Sequence, residues 1–289
     1  MGILVAKKYK TQMFLNFADH TYVECGTGAK AWSCWGGKSG GTAFNQGIGS
    51  TKRANAIAKP NERAGITTYL IDGVCHQAAN RILFPSGIQV AGARGYGLSL
   101  QLFGIYGRST FDFHPHVSGD LVACAQPNNL SEHQQIKRAI DIKLIESARR
   151  FNMTGLRRFG RAQQFHRSQN LKSYHALIQI LFADKLSLKR QEGLMQAKFD
   201  AETRLFILEK ELKTEQIGAV EFVKEFNKMT EVFQDDSANV LTSKQYETAF
   251  GNDVDKRIIL ADPQALNDAF GPGTSEQVYG DSPKNTISP

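Results

Sequence analysis

One of the four cysteines in this chain, Cys75, stands where a thiol can act as a nucleophile. It lies in Ile66-Thr67-Thr68-Tyr69-Leu70-Ile71-Asp72-Gly73-Val74-Cys75-His76-Gln77-Ala78-Ala79-Asn80-Arg81-Ile82-Leu83, where a strand-like run ends at Asp72-Gly73 and good helix formers follow. A sulfur at the first turn of a helix faces unpaired backbone N–H groups and the positive end of the helix dipole, which favours the thiolate. The same N–H groups suit an oxyanion.

Such a nucleophile needs a base on another element, and His20 in Asp19-His20-Thr21-Tyr22-Val23-Glu24 is the candidate. Strand alternation sends His20, Tyr22 and Glu24 to one face. His76 is the poorer base, because neighbouring helical residues point about 100° apart. Glu24 and Ser33 are candidates for a third catalytic residue, with Cys34 and Asn16 as alternatives. Trp35, Tyr69, His76 and Gln77 are candidates for lining a substrate cleft, although alternation over Trp32–Trp35 assigns the two tryptophans to opposite faces and suits a core role equally.

A histidine on an early strand followed by a cysteine at a helix start resembles circularly permuted papain-like proteins, the group of NlpC-type peptidases and lecithin–retinol-acyltransferase-like enzymes. The matching residues are His20 and Cys75, and the likeness covers about residues 10–125. It implies an antiparallel sheet packed on the cysteine-bearing helix. It also implies attack of Cys75 on a carbonyl, His20 as general base then acid, a third polar residue orienting the imidazole, and no cofactor. Bacterial relatives of this kind cleave peptidoglycan or peptide amides, so an amidase or peptidase is the first expectation, with acyl transfer through a thioester as the shared chemistry.

These residues must be positioned by the elements around them. Most of the 26 glycines fall within residues 1–125, which suits strands and tight turns. Strand-like runs are Gln12–Phe17, Thr21–Cys25, Lys30–Trp35, Ile88–Ala93, Ser99–Tyr106 and Leu121–Ala125. Helical spacing follows at about 131–151 and 171–183, then at 187–215 through Leu194, Met195, Lys198, Ala201, Leu205, Leu208 and Leu212. Gly218 punctuates it. A stripe of Phe222, Phe226, Met229 and Phe233 marks a helix over 220–233, antiparallel to the last, and Thr242-x-x-Gln245 caps a short one ending before Gly251.

The expected class is therefore α+β: a papain-like domain over 1–130, a helical region over 131–270 serving as lid, targeting module or partner-binding arm, and a disordered Gly/Pro/Ser-rich tail over 271–289.

Composition narrows the partners. Net charge is +7, with 13 Lys/Arg against 4 Asp/Glu over 131–191 and 10 against 18 over 192–289. The basic stretch suits either internal neutralisation or nucleic acid, and no RNA-binding motif or zinc-finger spacing accompanies it. No apolar run reaches membrane-span length and no signal peptide is legible, so synthesis in the cytoplasm is expected, with export lacking a cleavable signal as the alternative. Gly37-Lys38-Ser39 lacks the phosphate-loop spacing. His114-Pro115-His116 with Asp112 or Asp120 is a weak metal pattern, and no metal is expected. Arg94 and Arg108 beside glycine turns suit either a carboxylate or phosphate subsite or plain solvation. The competing reading is a noncatalytic interaction protein, secretion-system or phage-associated, that binds a protein partner through residues 187–233.

Overall fold

Burial alternates along β1 (Gly2–Lys10), where Leu4 and Ala6 are fully buried and Ile3 is exposed, giving the two-faced strand that a period of two requires. The computed structural model describes residues 1–10, 18–26, 31–32, 40–58, 69–108, 162–182 and 185–263. β1 pairs antiparallel with β2 (Asp19–Cys25) and β4 (Thr42–Gly49), and β2 also pairs with β3 (Ala31–Trp32). The sheet order is β3-β2-β1-β4, which puts β2 in the interior. Among the described residues β3 reaches β2 at Val23 and Glu24, and the edge of β2 at Asp19 meets the Arg94 carbonyl instead of a strand.

Helix α1 (Thr51–Ala58) follows the sheet, then α2 (Cys75–Leu83), a short 3-10 turn over Phe84–Ser86, and α3 (Tyr96–Phe103). Every residue of α2 is buried although three are amide or guanidinium side chains. Their partners explain it. Gln77 Nε2 donates to the Gly104 carbonyl at 3.0 Å, Asn80 Nδ2 to Ile105 at 2.8 Å, and Arg81 Nε to Tyr106, so one polar face of α2 satisfies three consecutive carbonyls. Gln77 Oε1 also accepts from Val74 N–H at 3.1 Å and closes the helix start.

Two strand expectations are corrected. Ser99–Tyr106 lies largely in α3, between Gly95 and Gly104, both in positive-φ conformations. Its alternation was ambiguous because Leu98 and Leu102 share a helical face as well. Ile88–Ala93 is not a strand: Val90 N–H donates to Asn80 Oδ1 at 2.9 Å and Asn45 Nδ2 donates to the Gln89 carbonyl at 2.8 Å. Side-chain amides there replace a strand partner. β1, β4 and α1 were not anticipated, whereas β2 contains the expected Thr21–Cys25. The readings at 12–17, 121–125, 131–151 and 271–289 lie outside the described residues.

The remaining helices are α4 (Ala162–Phe182), α5 (Leu188–Lys213), α6 (Ala219–Val240) and α7 (Ser243–Phe250). α5 and α6 form an antiparallel hairpin: Arg190 Nε donates to the Val240 carbonyl at 2.7 Å near one end, and Arg204 meets Glu225 at 2.8 Å further along. The stripe of Phe222, Phe226, Met229 and Phe233 is buried as its spacing indicates, each phenylalanine contributing about 1.5–3 kcal/mol by leaving water. Helix α6 runs seven residues beyond the expected Phe233, to Val240.

The hairpin does not stand apart. One apolar cluster runs from Leu4 and Val23 through α2 and α3 to the hairpin, with the Phe103 and Phe226 rings stacked at 6.2 Å. A Cβ on Gly97 would collide with the Phe250 carbonyl, so glycine lets α3 meet the end of α7 backbone to backbone. The observed class is thus α+β and mostly helical, with no described helix long and apolar enough to cross a membrane.

Candidate active site

Residues Tyr69 to Gly73 form the turn that delivers Cys75. Leu70 N–H donates to the Gly73 carbonyl at 2.8 Å, and Leu70 holds φ of +60°, a left-handed conformation that costs a side-chain-bearing residue about 1–2 kcal/mol. Surrounding bonds enforce it. Arg108 N–H donates to the Asp72 carbonyl at 2.7 Å, Arg108 Nη1 to the Ile71 carbonyl at 2.8 Å, and Arg81 Nη2 pairs with Asp72 Oδ2 at 2.7 Å. Gly107, with φ of +106°, sits so close that a Cβ would lie 2.6 Å from Arg81 Nη2 and 2.8 Å from the Asp72 carbonyl.

The start of α2 then docks on the Asp19 edge of β2. Asp19 N–H donates to the Arg94 carbonyl rather than to β1, so by the strand period Thr21 N–H leaves on that same edge. The Cys75 thiol donates to the Asp19 carbonyl at 3.8 Å, and His76 Nε2 lies 3.1 Å from the same oxygen. Since a carbonyl only accepts, Nε2 carries the proton. His76 Nδ1 meets the Ser99 hydroxyl at 2.8 Å. Both ring nitrogens are engaged, so His76 is no base for the thiol.

Burial pushes the Cys75 thiol up to about 11, since a dry site penalises the thiolate. The N–H groups of Thr21, His76 and Cys75, with the Thr21 hydroxyl, pull the other way. Thr21 Oγ1 is buried with no hydrogen-bond partner among the described residues, a donor that a thiolate or an oxyanion beside it would satisfy. Neither Asp19 nor Thr21 was singled out from the sequence, and the available signal was their place flanking His20.

Burial also drives His20 down to about 3, with the charge of His76 adding to the effect, and drives His76 down to about 4, against support from Asp19. Both imidazoles are neutral near pH 7. His20 shares the interface of β2 with α2 but not the face of Thr21. Val23 and Cys25 join the core cluster with Leu4 and Ala6, whereas Tyr22 packs on Gly41, so alternation assigns His20 to the side of Tyr22.

Other expected site residues separate further. Glu24 pairs with Lys7 at 2.7 Å, four strand positions and so about 13 Å along β2 from His20, too far to orient its ring. Tyr69 Oη donates to the Leu260 carbonyl at 3.2 Å, and Gln77 is spent on the helix start and on Gly104; both act structurally. Ser33, Cys34 and Trp35 lie outside the described residues, as do Asn16 and the His114/His116 pattern. Among the described residues no group of three His, Cys, Asp or Glu side chains could hold a metal.

Arg94 and Arg108 are both engaged. Asp19 accepts from Arg94 N–H at 2.9 Å and Arg94 Nε at 3.0 Å, with Lys8 Nζ at 3.5 Å, and this holds the β2 edge in place. No protein-family model, curated protein or solved structure matches the chain.

Proposed function

We propose that the protein is a cysteine-dependent hydrolase or acyltransferase of the permuted papain-like kind, with Cys75 attacking an amide or ester carbonyl and a peptide amide as the first substrate class. One observation carries the reading: the Cys75 sulfur opens α2 against the edge of β2, bonded to the Asp19 carbonyl at 3.8 Å, where the N–H groups of Thr21, His76 and Cys75 and the buried Thr21 hydroxyl favour its thiolate. That donor set matches the charge that develops on a thiolate and on a tetrahedral oxyanion. His20 is the candidate base as the β2 imidazole that interacts electrostatically with His76 at the start of the Cys75 helix.

The described arrangement is closed. A thiol near 11 will not give its proton to a histidine near 3 on the other face of β2, and admitting water or substrate moves both toward their ordinary values. In the proposed cycle substrate entry opens the β2–α2 junction and the thiol proton passes to His20. The thiolate then forms the thioester while the proton leaves with the amine or alcohol. Hydrolysis by water or transfer to another nucleophile returns the thiol.

Activity-based labelling with a peptide-like acylating probe tests this. Cys75→Ala is expected to abolish labelling, and His20→Asn to slow it at least about a hundredfold, the scale of a lost general base. Labelling that persists in Cys75→Ala, or that settles on Cys25, ends the assignment.

The burial of Cys75, 2% exposed, favours the second reading, a noncatalytic interaction protein using the hairpin. Its exposed large apolar side chains, Leu188, Phe199, Ile207 and Val232, are scattered singles that ordinary surfaces also carry.

A further inference from the structure

The hairpin reaches the Cys75 turn through a buried charge. Glu202 of α5 is 2% exposed and accepts from Arg108 Nε at 3.2 Å and Nη2 at 3.1 Å with one oxygen; its other oxygen meets Lys198 Nζ at 2.8 Å and Asn170 Nδ2. Lys198, fully buried, and Asn170 both donate to the Leu102 carbonyl at the end of α3. Arg108 in turn binds the Ile71 and Asp72 carbonyls with its side chain and its backbone. A continuous run of hydrogen bonds thus links α5 to the strained turn two residues before the sulfur's own helix start.

Arg108 is the only residue in this run with a foot on both sides. Its guanidinium has a fixed fork, so Glu202 at 3.1–3.2 Å on the Nε/Nη2 edge, with Glu209 of the same helix at 3.8 Å from Nη1, orients Nη1 toward the turn, which a flexible ammonium would not do. Without Glu202 the guanidinium keeps only the longer pair with Glu209, its bond to the Ile71 carbonyl loosens, and Leu70 has less to hold it in its left-handed conformation. Val74 and Cys75 move with the turn.

We propose that Glu202 is a positioning residue for Cys75: acting through Arg108, it holds the Leu70–Gly73 turn so that the sulfur stays seated and closed against β2. This rests on the reading of Cys75 as the nucleophile, and it makes the hairpin a regulator of that site. Displacement of α5 from Arg108 opens the thiol.

The test is iodoacetamide alkylation of the intact chain, followed site by site by mass spectrometry across pH. Cys25, also buried and held by burial near 11, is the internal monitor of global opening. Among the described residues the charged and titratable groups near Cys75 are His20, His76 and Asp19 with its partners Arg94 and Lys8, and those on Arg108 are Glu202 and Glu209; of these Glu202 alone is altered. Glu202→Gln is expected to raise the Cys75 rate about tenfold relative to Cys25 and lower its pH midpoint by about one unit, one unit being a tenfold change in thiolate.

Leu208→Ala, a core truncation on the same helix, is expected to move both cysteines together. If Glu202→Gln does not fold, Arg108→Lys, which keeps the charge and loses the fork, decides by the same ratio. A ratio unchanged from the parent, or matched by Leu208→Ala, overturns the proposal. No substrate turnover enters the measurement, so its outcome is independent of whether Cys75 acylates.

Discussion

The molecule buries two polar clusters and treats charge in opposite ways in them. At the β2–α2 junction Cys75, His20 and His76 face few compensating charges, and burial holds all three neutral. At the α3–α5 junction burial would raise Glu202, yet Arg108 and Lys198 beside it win and hold its carboxyl below the usual range. The contrast teaches that depth alone does not decide ionisation; a partner at hydrogen-bond distance does. A neutral cluster can open to water and become reactive, whereas the charged one is fixed by its own compensation.

The largest effect is expected where compensation is removed. Glu202→Ala leaves two buried cations unpaired and should cost about 3–5 kcal/mol in urea unfolding. A loss under about 1 kcal/mol would show that water already reaches this cluster.

Acid should next attack the other cluster. Both imidazoles have folded values, about 3 and about 4, below the ordinary 6.5, so the unfolded chain binds more protons between them. Their contribution is complete above about pH 6.5 and is lost as pH falls toward 4, at about 2–3 kcal/mol per pH unit. His76→Gln should halve that slope in a pH series of unfolding curves. Cys75 acts at the other end, its contribution full below about 9 and lost as pH rises toward 11.

A smaller change sharpens the comparison by trading stability against reactivity. Thr21→Val removes a buried hydroxyl that has no partner among the described residues, so it should stabilise by about 1 kcal/mol while slowing acylation of Cys75. Stabilisation with undiminished acylation would remove Thr21 from the site. The smallest effect belongs to Glu24→Gln, whose solvent-screened pair with Lys7 should leave the unfolding midpoint nearly unchanged. Lost acylation in that variant would restore Glu24 as a catalytic residue.

Local signals were readable and long-range ones were not. A helix beginning at Cys75 follows from Gly73 and the formers behind it, and the hairpin follows from its apolar stripe. Lys198 already stood in that stripe as a lone cation among leucines. What no local pattern carried is which carbonyls the polar face of α2 would satisfy, since Gly104, Ile105 and Tyr106 lie more than twenty residues on. The same gap let α3 pass for a strand. Glu24 was assigned by face alone, and alternation fixes a face but not a distance along it.

One set of late contacts bears on how the molecule is made. Tyr69 reaches the Leu260 carbonyl across 191 residues of sequence, Gln101 reaches Ala249, and Asn227 reaches Ala261. A nascent chain leaving the ribosome therefore has the thiol segment long before the pieces that close over it. Until residue 261 has emerged, the turn before Cys75 lacks its far tether, so the sulfur passes through synthesis less protected than it ends. Chains stalled at intermediate lengths would carry the same cysteine in an ungated form.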